Sequence, residues 1–311
     1  MLKDGNTNKE INNEFDYINS MMGLIKPENL KPNRTGVATY ANYNYMFNFD
    51  IKNPNKPLPI LIGKHTMLKG GLVELVWMMT GRTDNKFLRD NGVNYWTPWQ
   101  NEDGEFGPIY GHQMRNFNGK DQLVDVIRSL KNNFGSRRHI ISLWNPSDLE
   151  KMALPPCHFI YHFTTYVDNN TQKKMMNVHT TMRSLDSLLG LPYDLLLSLY
   201  MTKIIGFVCE IDSDSLFLNA ADYHLYENHI GNLSKYDDEY TKNANDGDKP
   251  PTQIDFKQFV YDSFKFERPG IDEFLNFIIL NNFDVFEFKS ENGEIWKQNE
   301  NIKRIGGKIA V

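Results

Sequence analysis

The chain has 311 residues, of which 40% are hydrophobic, and its 34 Lys and Arg against 39 Asp and Glu give a net charge of −5. The apolar share excludes a disordered chain, and the acidic balance disfavours broad electrostatic binding of nucleic acid. The length allows one large domain or two ordinary ones.

The cysteine content and the N-terminus indicate the compartment. Cys157 and Cys209 are too few for a disulfide framework and are typical of a reducing environment. Residues 1–14 are polar, lack the apolar core of a signal peptide, and are expected to be flexible. We therefore predict a cytoplasmic protein. Heavy use of Asn, Lys and Ile indicates a compositional bias of the coding genome, and the source stays open between an AT-rich bacterium and a phage. A phage protein would act in the cytoplasm of its host.

Periodicity predicts the elements of the first part of the chain. Apolar residues at helical spacing predict an amphipathic helix over Lys64–Thr80, with one acid, Glu74, among apolar neighbours. Asn91–Tyr110 is rich in Trp, Gly and Pro and predicts a long loop, a feature that is often functional. Alternating β-branched and aromatic residues predict strands at Arg138–Trp144, His158–Val167 and Met175–Met182.

The remaining elements follow one another without a linker. The longest apolar stretch, Leu195–Cys209, contains Lys203 and is too short to span a bilayer, so Leu191-Pro192 opens a buried helix. After it we predict a strand at Ser215–Ala220, a helix at His224–Leu233, a polar loop at Ser234–Pro251, and strand, helix (Ile271–Leu280) and strand over Phe256–Phe288. The prediction is one α/β domain over residues 1–311. No CxxC or HExxH pattern occurs, so no metal site is predicted.

Cys157 is the candidate nucleophile. A lone cysteine is most often a small buried hydrophobe, and Cys209, in an apolar helix, fits that interpretation. Cys157 instead follows two prolines that fix its backbone, and His158 and arginines lie near it in sequence. Cationic surroundings lower a thiol pKa and activate the sulfur, so we expect a lowered pKa at Cys157.

Four arginines suggest a phosphate site. Adjacent arginines such as Arg137 and Arg138 usually belong to a solvated turn, but Arg183 stands at the end of an apolar strand, where an unpaired Arg is rare. Together with Arg34, these side chains could converge on a dianion, because guanidinium groups match phosphate oxygens. Alone, this pattern is a weak indication.

Seven segments taken together are far more specific. In chain order they are NRTG, ELVWMMTGRTD, NGVNYW, GPIYGHQMR, SRRHIISLWNPSDLEKMALPPCH, MRSLDSLLGLPYD and DYHLYENH. They resemble thymidylate synthase from about residue 15 to Val311. The resemblance implies an α/β fold with helices flanking a mixed sheet, and a homodimer joined sheet to sheet with shared active sites. It also implies a pyrimidine nucleoside monophosphate substrate and 5,10-methylenetetrahydrofolate as one-carbon donor, with no membrane or nucleic acid required.

The resemblance implies a role for each site residue. Cys157 is the nucleophile that adds to C6 of the pyrimidine, with Tyr110 and His158 beside it, and Glu74 orders water and relays protons. A plainer interpretation of Glu74 is a satisfied helix acid. The implied phosphate ligands are Arg34, Arg183 and Ser184 of the same subunit, and Arg137 and Arg138 reaching across the dimer. The other implied contacts are His224 and Tyr226 to the sugar, Asp194 and Asp186 to the base, and Trp96, Asp186, Leu154 and Val311 to the folate.

Two departures lie within the most specific motif. The family's synthases have Gln at the position of Met182 and Asn at that of Asp194. A carboxamide matches the N3–H donor and the O4 acceptor of uracil, whereas cytosine inverts this edge. A protonated Asp, or an ionised Asp facing N3-protonated cytosine, matches the inverted edge. Asp194 after Met-Arg-Ser resembles the deoxycytidylate hydroxymethylases, which predicts 5-hydroxymethylation of deoxycytidylate or cytidylate.

Alternatives stay open at this point. Trp96, Gly107–Gly111 and Ile309–Val311 remain synthase-like, which favours a dry site and a methyl product. The alternatives are therefore a deoxycytidylate methylase, a thymidylate synthase acting on dUMP, and a non-catalytic nucleotide- or RNA-binding homologue. Intact Cys157 and Glu74 argue against the last. The segment 234–282 is longer than compact family members need, and its role is open.

Overall fold

The computed structural model describes residue 11 and residues 13–306. Its helices are α1 (Glu14–Met22), α2 (Leu68–Met79), α3 (Asn85–Asp90), α4 (Tyr110–Asn116), α5 (Gln122–Asn132), α6 (Leu191–Cys209), α7 (Ile230–Asn245), α8 (Gln258–Ser263) and α9 (Ile271–Leu280). Its strands are β1 (Leu30–Lys31), β2 (Thr39–Asp50), β3 (Ile140–Ser142), β4 (His158–Val167), β5 (Lys174–Met182), β6 (Leu185–Asp186), β7 (Asp212–Tyr226), β8 (Gln253–Phe256), β9 (Phe286–Lys289) and β10 (Ile295–Trp296). Residues 1–10 and 12 of the segment expected to be flexible lie outside the described residues. Contrary to that expectation, Ile11 and Glu14 are buried and Asn13 caps α1.

A mixed sheet forms the centre of the fold. Its strand order is β1-β2-β7-β5-β4-β3, with β6 pairing with β7. β7 is antiparallel to β2 and parallel to β5, and β5 is antiparallel to β4. α6 contacts β5, β7 and α2, so helices cover one face of the sheet. The predicted α/β fold, a mixed sheet with flanking helices, is therefore confirmed.

The opposite face of the sheet carries partly exposed side chains. Met46 on β2 is 44% exposed and Ile140 on β3 is 42% exposed. Between β2 and β3, a row of paired residues crosses β4, β5 and β7, namely His162, His179 and Phe217. The rings of His179 and Phe217 stack with their centroids 4.7 Å apart. A sheet-to-sheet homodimer would cover this face, and it stays a prediction.

Local predictions hold where the hydrophobic period is strong. β4 and α9 have the predicted bounds, and β5 begins one residue earlier than predicted. α6 begins at Leu191 as predicted, with Pro192 in its first turn, where the missing N–H costs nothing. α6 is long and apolar enough to cross a membrane, but most of it is buried inside the protein.

Several local predictions were wrong. β7 continues through His224, so the helix predicted from that residue begins only at Ile230. The predicted polar loop Ser234–Pro251 is helical as far as Asn245, because a few side chains of α7, among them Tyr236, are buried on one face of a polar sequence. The strand predicted from Arg138 shortens to β3, the helix predicted from Lys64 begins at Leu68, and β2 was missed.

The long segment 234–282 packs into the same core. Its helix α9 places Phe274 against Phe207 of α6, with ring centroids 4.7 Å apart. The strands beside it form a small antiparallel sheet in the order β10-β9-β8. At the other end of the segment, the Tyr236 hydroxyl donates to Oε1 of Glu14 at 2.7 Å. This segment therefore packs against both α1 and α6.

Candidate active site

A cavity of about 570 Å³ brings most of the predicted site residues together. Those that line it are Arg34, Glu74, Trp96, Tyr110, Leu154, Cys157, His158, Arg183, Ser184, Asp186, Asp194, His224 and Tyr226. Arg137 and Arg138 do not line it; they are exposed, in the turn before β3. Val311 lies outside the described residues.

The backbone around Cys157 is held on both sides. Cys157 immediately precedes β4, and its N–H donates to the Tyr110 hydroxyl at 2.9 Å. The Arg183 guanidinium donates to the carbonyls of Pro155 at 2.8 Å and Pro156 at 2.9 Å. Its Nη2 then lies 3.8 Å from Sγ of Cys157. The two prolines therefore present carbonyl acceptors that fix an arginine beside the thiol.

The lowered thiol pKa expected from the sequence is wrong. Burial raises the pKa of Cys157. The positive charges of Arg183 and Arg34 oppose that rise, whereas the negative charges of Asp194 and Asp186 add to it. The site therefore favours the neutral thiol, and the two arginines stabilise the thiolate once a proton leaves.

Glu74 is buried on α2 and held by two aromatic residues. It is 6% exposed. Its Oε1 accepts from Trp96 Nε1 at 2.9 Å, and its Oε2 accepts from the Tyr95 hydroxyl at 2.5 Å. Burial raises the pKa of Glu74, and these hydrogen bonds counter part of the rise. Such a carboxyl can exchange a proton at a pH where an exposed Glu stays ionised.

Asp194 and His158 form a pair in the cavity wall. Asp194 lies in the first turn of α6, where its N–H donates to the Gly190 carbonyl at 3.1 Å. Its Oδ1 is 3.3 Å from Nδ1 of His158. The His158 ring in turn stacks on Tyr110, with centroids 4.4 Å apart. A carboxyl group with an imidazole partner therefore lines the cavity at the position that the sequence singled out.

Strand β7 places three polar side chains on one face. Asp222, His224 and Tyr226 alternate along it, and alternate residues of a strand share a face. Nδ1 of His224 lies 2.8 Å from Oδ1 of Asp222, and Oδ2 of Asp222 accepts from Lys31. Although burial raises the pKa of Asp222, these two partners lower it overall. An ionised Asp222 can only accept, so Nδ1 of His224 donates to it, which leaves Nε2 of His224 for a hydroxyl ligand.

A second corner of the cavity contains Asp186 and Lys64. Oδ1 of Asp186 accepts from the N–H groups of Leu188 at 3.0 Å and Leu189 at 3.1 Å. Nζ of Lys64 donates to the Leu188 carbonyl at 2.5 Å. Burial lowers the pKa of Lys64 to about 8, and the charge of Asp186 opposes that change. The turn between β6 and α6 is thus fixed from two sides.

Aromatic rings and cations lie close together near the end of the described chain. The charge of Arg304 lowers the pKa of His65, after the larger effect of burial. Burial raises the pKa of Tyr193, and the charge of Arg304 opposes that rise. The Tyr193 ring lies 5.6 Å from that of Tyr95. All four line the cavity together with Lys64. This part of the cavity can therefore accept a flat ligand that carries negative charge.

Sequence reasoning missed three residues of the site. Tyr95 precedes Trp96 in the motif NGVNYW, and Asp222 opens the motif DYHLYENH. Both belong to recognised segments, but their hydrogen bonds to Glu74 and His224 exist only in the folded chain. Lys64 stood at the start of a predicted helix, and no local signal distinguished it from a solvated lysine.

One cavity brings a thiol with arginines beside it together with a buried acid, and this arrangement is suited to covalent group transfer. Residues 15–269 match the thymidylate synthase family. A thymidylate synthase of Francisella tularensis subsp. holarctica is 36% identical over 235 residues, which cover 71% of this chain and 82% of that protein. One of Buchnera aphidicola subsp. Acyrthosiphon pisum is 36% identical over 219 residues, which cover 69% and 80%. The chain belongs to the thymidylate synthase family.

Membership establishes the general reaction. The enzyme transfers a one-carbon unit to a pyrimidine nucleotide, and 5,10-methylenetetrahydrofolate is the donor. The cavity fits this folate: Trp96, Trp99 and Tyr193 would offer ring surfaces to it, and Lys64 and Arg304 would offer positive charge to its carboxylates. The predicted donor is therefore confirmed. The identity of the base, the product and the homodimer stay predictions.

Proposed function

We propose that this enzyme hydroxymethylates C5 of deoxycytidylate, with cytidylate as the second candidate substrate. The observation that carries the proposal is the Asp194 carboxyl group, which lines the cavity 3.3 Å from Nδ1 of His158. The family's synthases have an amide at this position.

The edge of the base explains why Asp194 matters. Cytosine donates from its 4-amino group, and it also donates from N3 when that nitrogen is protonated, so an ionised Asp194 can accept two hydrogen bonds from it. Uracil would turn O4 towards the same negative charge. Leaving a buried polar group unmatched costs about 1–3 kcal/mol. His158 lies beside this carboxyl group, with its Nδ1 3.3 Å from Oδ1 of Asp194.

The remaining residues fit one chemical sequence. Arg34, Arg183 and Ser184 bind the phosphate, and His224 and Tyr226 bind the sugar. Addition of Cys157 to C6 makes C5 nucleophilic, and bound methylenetetrahydrofolate supplies the one-carbon unit. Asp186, Leu154 and Trp96 contact the base and the folate.

Water completes the proposed reaction. Once the C5 proton has left and the bond between the one-carbon unit and the folate has broken, water adds to the exocyclic methylene at C5. Glu74 takes up a proton from this water, and Cys157 leaves C6, which restores the aromatic ring. The balance is one water consumed and one 5-hydroxymethyl group formed, with tetrahydrofolate released. The proposal of a hydroxymethyl product rests on the presence of Met182 together with Asp194. Glu74 is the buried carboxyl group that can accept the proton released by the water.

A thymidylate synthase acting on dUMP is the second candidate function. The observation in its favour is the 36% identity to proteins of that name. Trp96 also lies in the interior against Glu74, which favours a dry site and hydride transfer. The same dry site on a cytosine base would give a deoxycytidylate methylase.

We also propose that each site is completed by a second subunit. Arg137 and Arg138 are exposed and lie outside the cavity of their own chain. Two adjacent guanidinium groups on a turn beside the uncovered sheet face can reach a neighbouring subunit. A homodimer in which they bind the phosphate of the other site fits both features. Val311 is proposed to contact the folate.

Direct assay tests the substrate and the product. The enzyme is incubated with 5,10-methylenetetrahydrofolate and dCMP, CMP or dUMP, and product mass and dihydrofolate absorbance are recorded. A hydroxymethyl product from dCMP without dihydrofolate is expected. Methylated dUMP with dihydrofolate would identify a thymidylate synthase, and methylated dCMP with dihydrofolate a deoxycytidylate methylase. No product from any pyrimidine monophosphate would support a non-catalytic binding homologue.

Substitution of Asp194 tests the base. Asp194→Asn should lower kcat/KM for cytosine nucleotides roughly tenfold to a hundredfold and raise it for dUMP. Asp212→Asn is the matched control, because Asp212 lies at the exposed start of β7 and pairs with Lys173. A wild-type preference for dUMP that Asp194→Asn leaves unchanged would overturn the cytosine assignment.

A further inference from the structure

Tyr95 holds the buried acid, and none of the roles above uses it. It lines the cavity and donates to Oε2 of Glu74 at 2.5 Å. Its ring lies 5.6 Å from that of Tyr193, so packing fixes its orientation. Trp96 donates to the other oxygen at 2.9 Å. Each oxygen of Glu74 thus has one donor from an aromatic side chain.

The two donors differ in the protonation states that they tolerate. The indole N–H of Trp96 can only donate, so Oε1 must remain an acceptor whether Glu74 is ionised or neutral. A phenol hydroxyl can donate or accept. Tyr95 can therefore keep its hydrogen bond to Oε2 when that oxygen gains or loses a proton. Protonation at Oε2 therefore keeps both hydrogen bonds of Glu74, which favours Oε2 as the oxygen that exchanges the proton.

We propose that Tyr95 is a positioning residue that directs proton transfer at Glu74 through Oε2. The proposal rests on the proton-handling role proposed above for Glu74, but it holds for either pyrimidine base. The proton moves between Oε2 and the reacting water or nucleotide. Tyr95 reverses its hydrogen bond during that step and neither gains nor loses a proton.

The electrostatic surroundings of Glu74 allow a clean test. Burial raises the pKa of Glu74, and the hydrogen bonds from Tyr95 and Trp96 oppose that rise. The other ionisable groups that face it are Asp194 on α6, His158 and Tyr161 on β4, and Tyr193. Tyr95→Phe keeps all of these and the ring packing. It removes one donor to the ionised carboxylate, so the pKa of Glu74 should move up.

The experiment is the pH profile of kcat for Tyr95→Phe, with the pyrimidine monophosphate that the wild type converts. We expect kcat to fall roughly tenfold to a hundredfold. The limb of the profile that belongs to Glu74 should shift to higher pH, whichever protonation state reacts. Tyr200→Phe is the matched control, because the Tyr200 hydroxyl donates to the Leu68 carbonyl of α2 at 3.2 Å and not to Glu74. Its profile should stay that of the wild type.

Glu74→Gln separates the two proposals. Loss of turnover, or of that limb, supports the role of Glu74, and a wild-type profile in Glu74→Gln overturns it. If Glu74→Gln is inactive while Tyr95→Phe keeps the wild-type rate and profile, the inference about Tyr95 alone is wrong. Thermal unfolding of Tyr95→Phe, expected to match that of Tyr200→Phe, checks that a loss of rate is not a loss of fold.

Discussion

Nη2 of Arg183 lies 3.8 Å from Sγ of Cys157, in a site where burial raises the pKa of the thiol. The same guanidinium donates to the carbonyls of Pro155 and Pro156, immediately before the cysteine. The backbone that presents the thiol therefore also holds a cation beside it. An arginine has five N–H donors, so these contacts leave others for an anionic ligand.

The nucleophile can be tested by comparing the two cysteines. Cys157→Ser should abolish turnover and retain nucleotide binding, because the thiol is needed only for the covalent step. Cys209→Ser should stay active, since Cys209 is buried at the end of α6, outside the cavity. Turnover and equilibrium binding of the nucleotide are measured for both. Comparable activity in the two variants would exclude the covalent mechanism.

The electrostatic effect of Arg183 can be measured without turnover. In a Cys209→Ser background, alkylation of Cys157 by iodoacetamide is followed against pH, which reports the pKa of its thiol. This pKa should lie above its ordinary value because of burial. Arg183→Gln should move it higher still, because a positive charge 3.8 Å from Sγ is lost. An unchanged alkylation profile in Arg183→Gln would contradict the proposed stabilisation of the thiolate.

A shared active site predicts complementation between inactive subunits. Arg138→Ala and Cys157→Ala should each be nearly inactive. A heterodimer of the two has one site with an intact Cys157 and an intact Arg138. Random mixing should therefore restore about a quarter of the wild-type activity. Two Cys157→Ala preparations mixed in the same way are the control, and no recovery in the first mixture would count against a site shared between subunits.

Glu14 predicts a pH dependence of stability. It accepts hydrogen bonds from the N–H groups of Ile62 at 2.6 Å and Gly63 at 2.9 Å, and from Tyr236. Burial nevertheless raises the pKa of Glu14 from 4.5 to about 7. Between these values the folded state keeps a proton that the unfolded state has released. The stabilisation from this retained proton is therefore complete below pH 4.5 and is lost as the pH rises through about 7, with a total change of about 3 kcal/mol.

Glu14→Gln isolates this effect. The free energy of unfolding is measured from denaturant titrations at about pH 5 and about pH 8. Wild type should lose stability relative to Glu14→Gln between the two, because glutamine cannot ionise. Glu28→Gln, at an exposed position, should not change the pH dependence. An equal difference between wild type and Glu14→Gln at both pH values would contradict the raised pKa.

Some features of this protein follow from short stretches of sequence. β4 and α6 were predictable because their apolar periods are strong over the whole element. Cys157 stood out because two prolines and a histidine surround it, and Asp194 because it departs from a motif that is otherwise intact. These signals need no knowledge of distant residues.

Other features were decided only by tertiary contacts. His224 lies on a strand because β7 pairs with β2 from Ser215 to Tyr226, and α7 is a helix because a few of its side chains are buried against the core. The thiol pKa rises instead of falling because burial outweighs nearby positive charge, and only the fold determines burial. The same holds for Tyr95 and Glu74, which are 21 residues apart in the chain. Hydrogen bonds and desolvation act between residues that are far apart in the chain. The local sequence therefore identifies the reactive groups, whereas the packing determines their hydrogen bonds and pKa values.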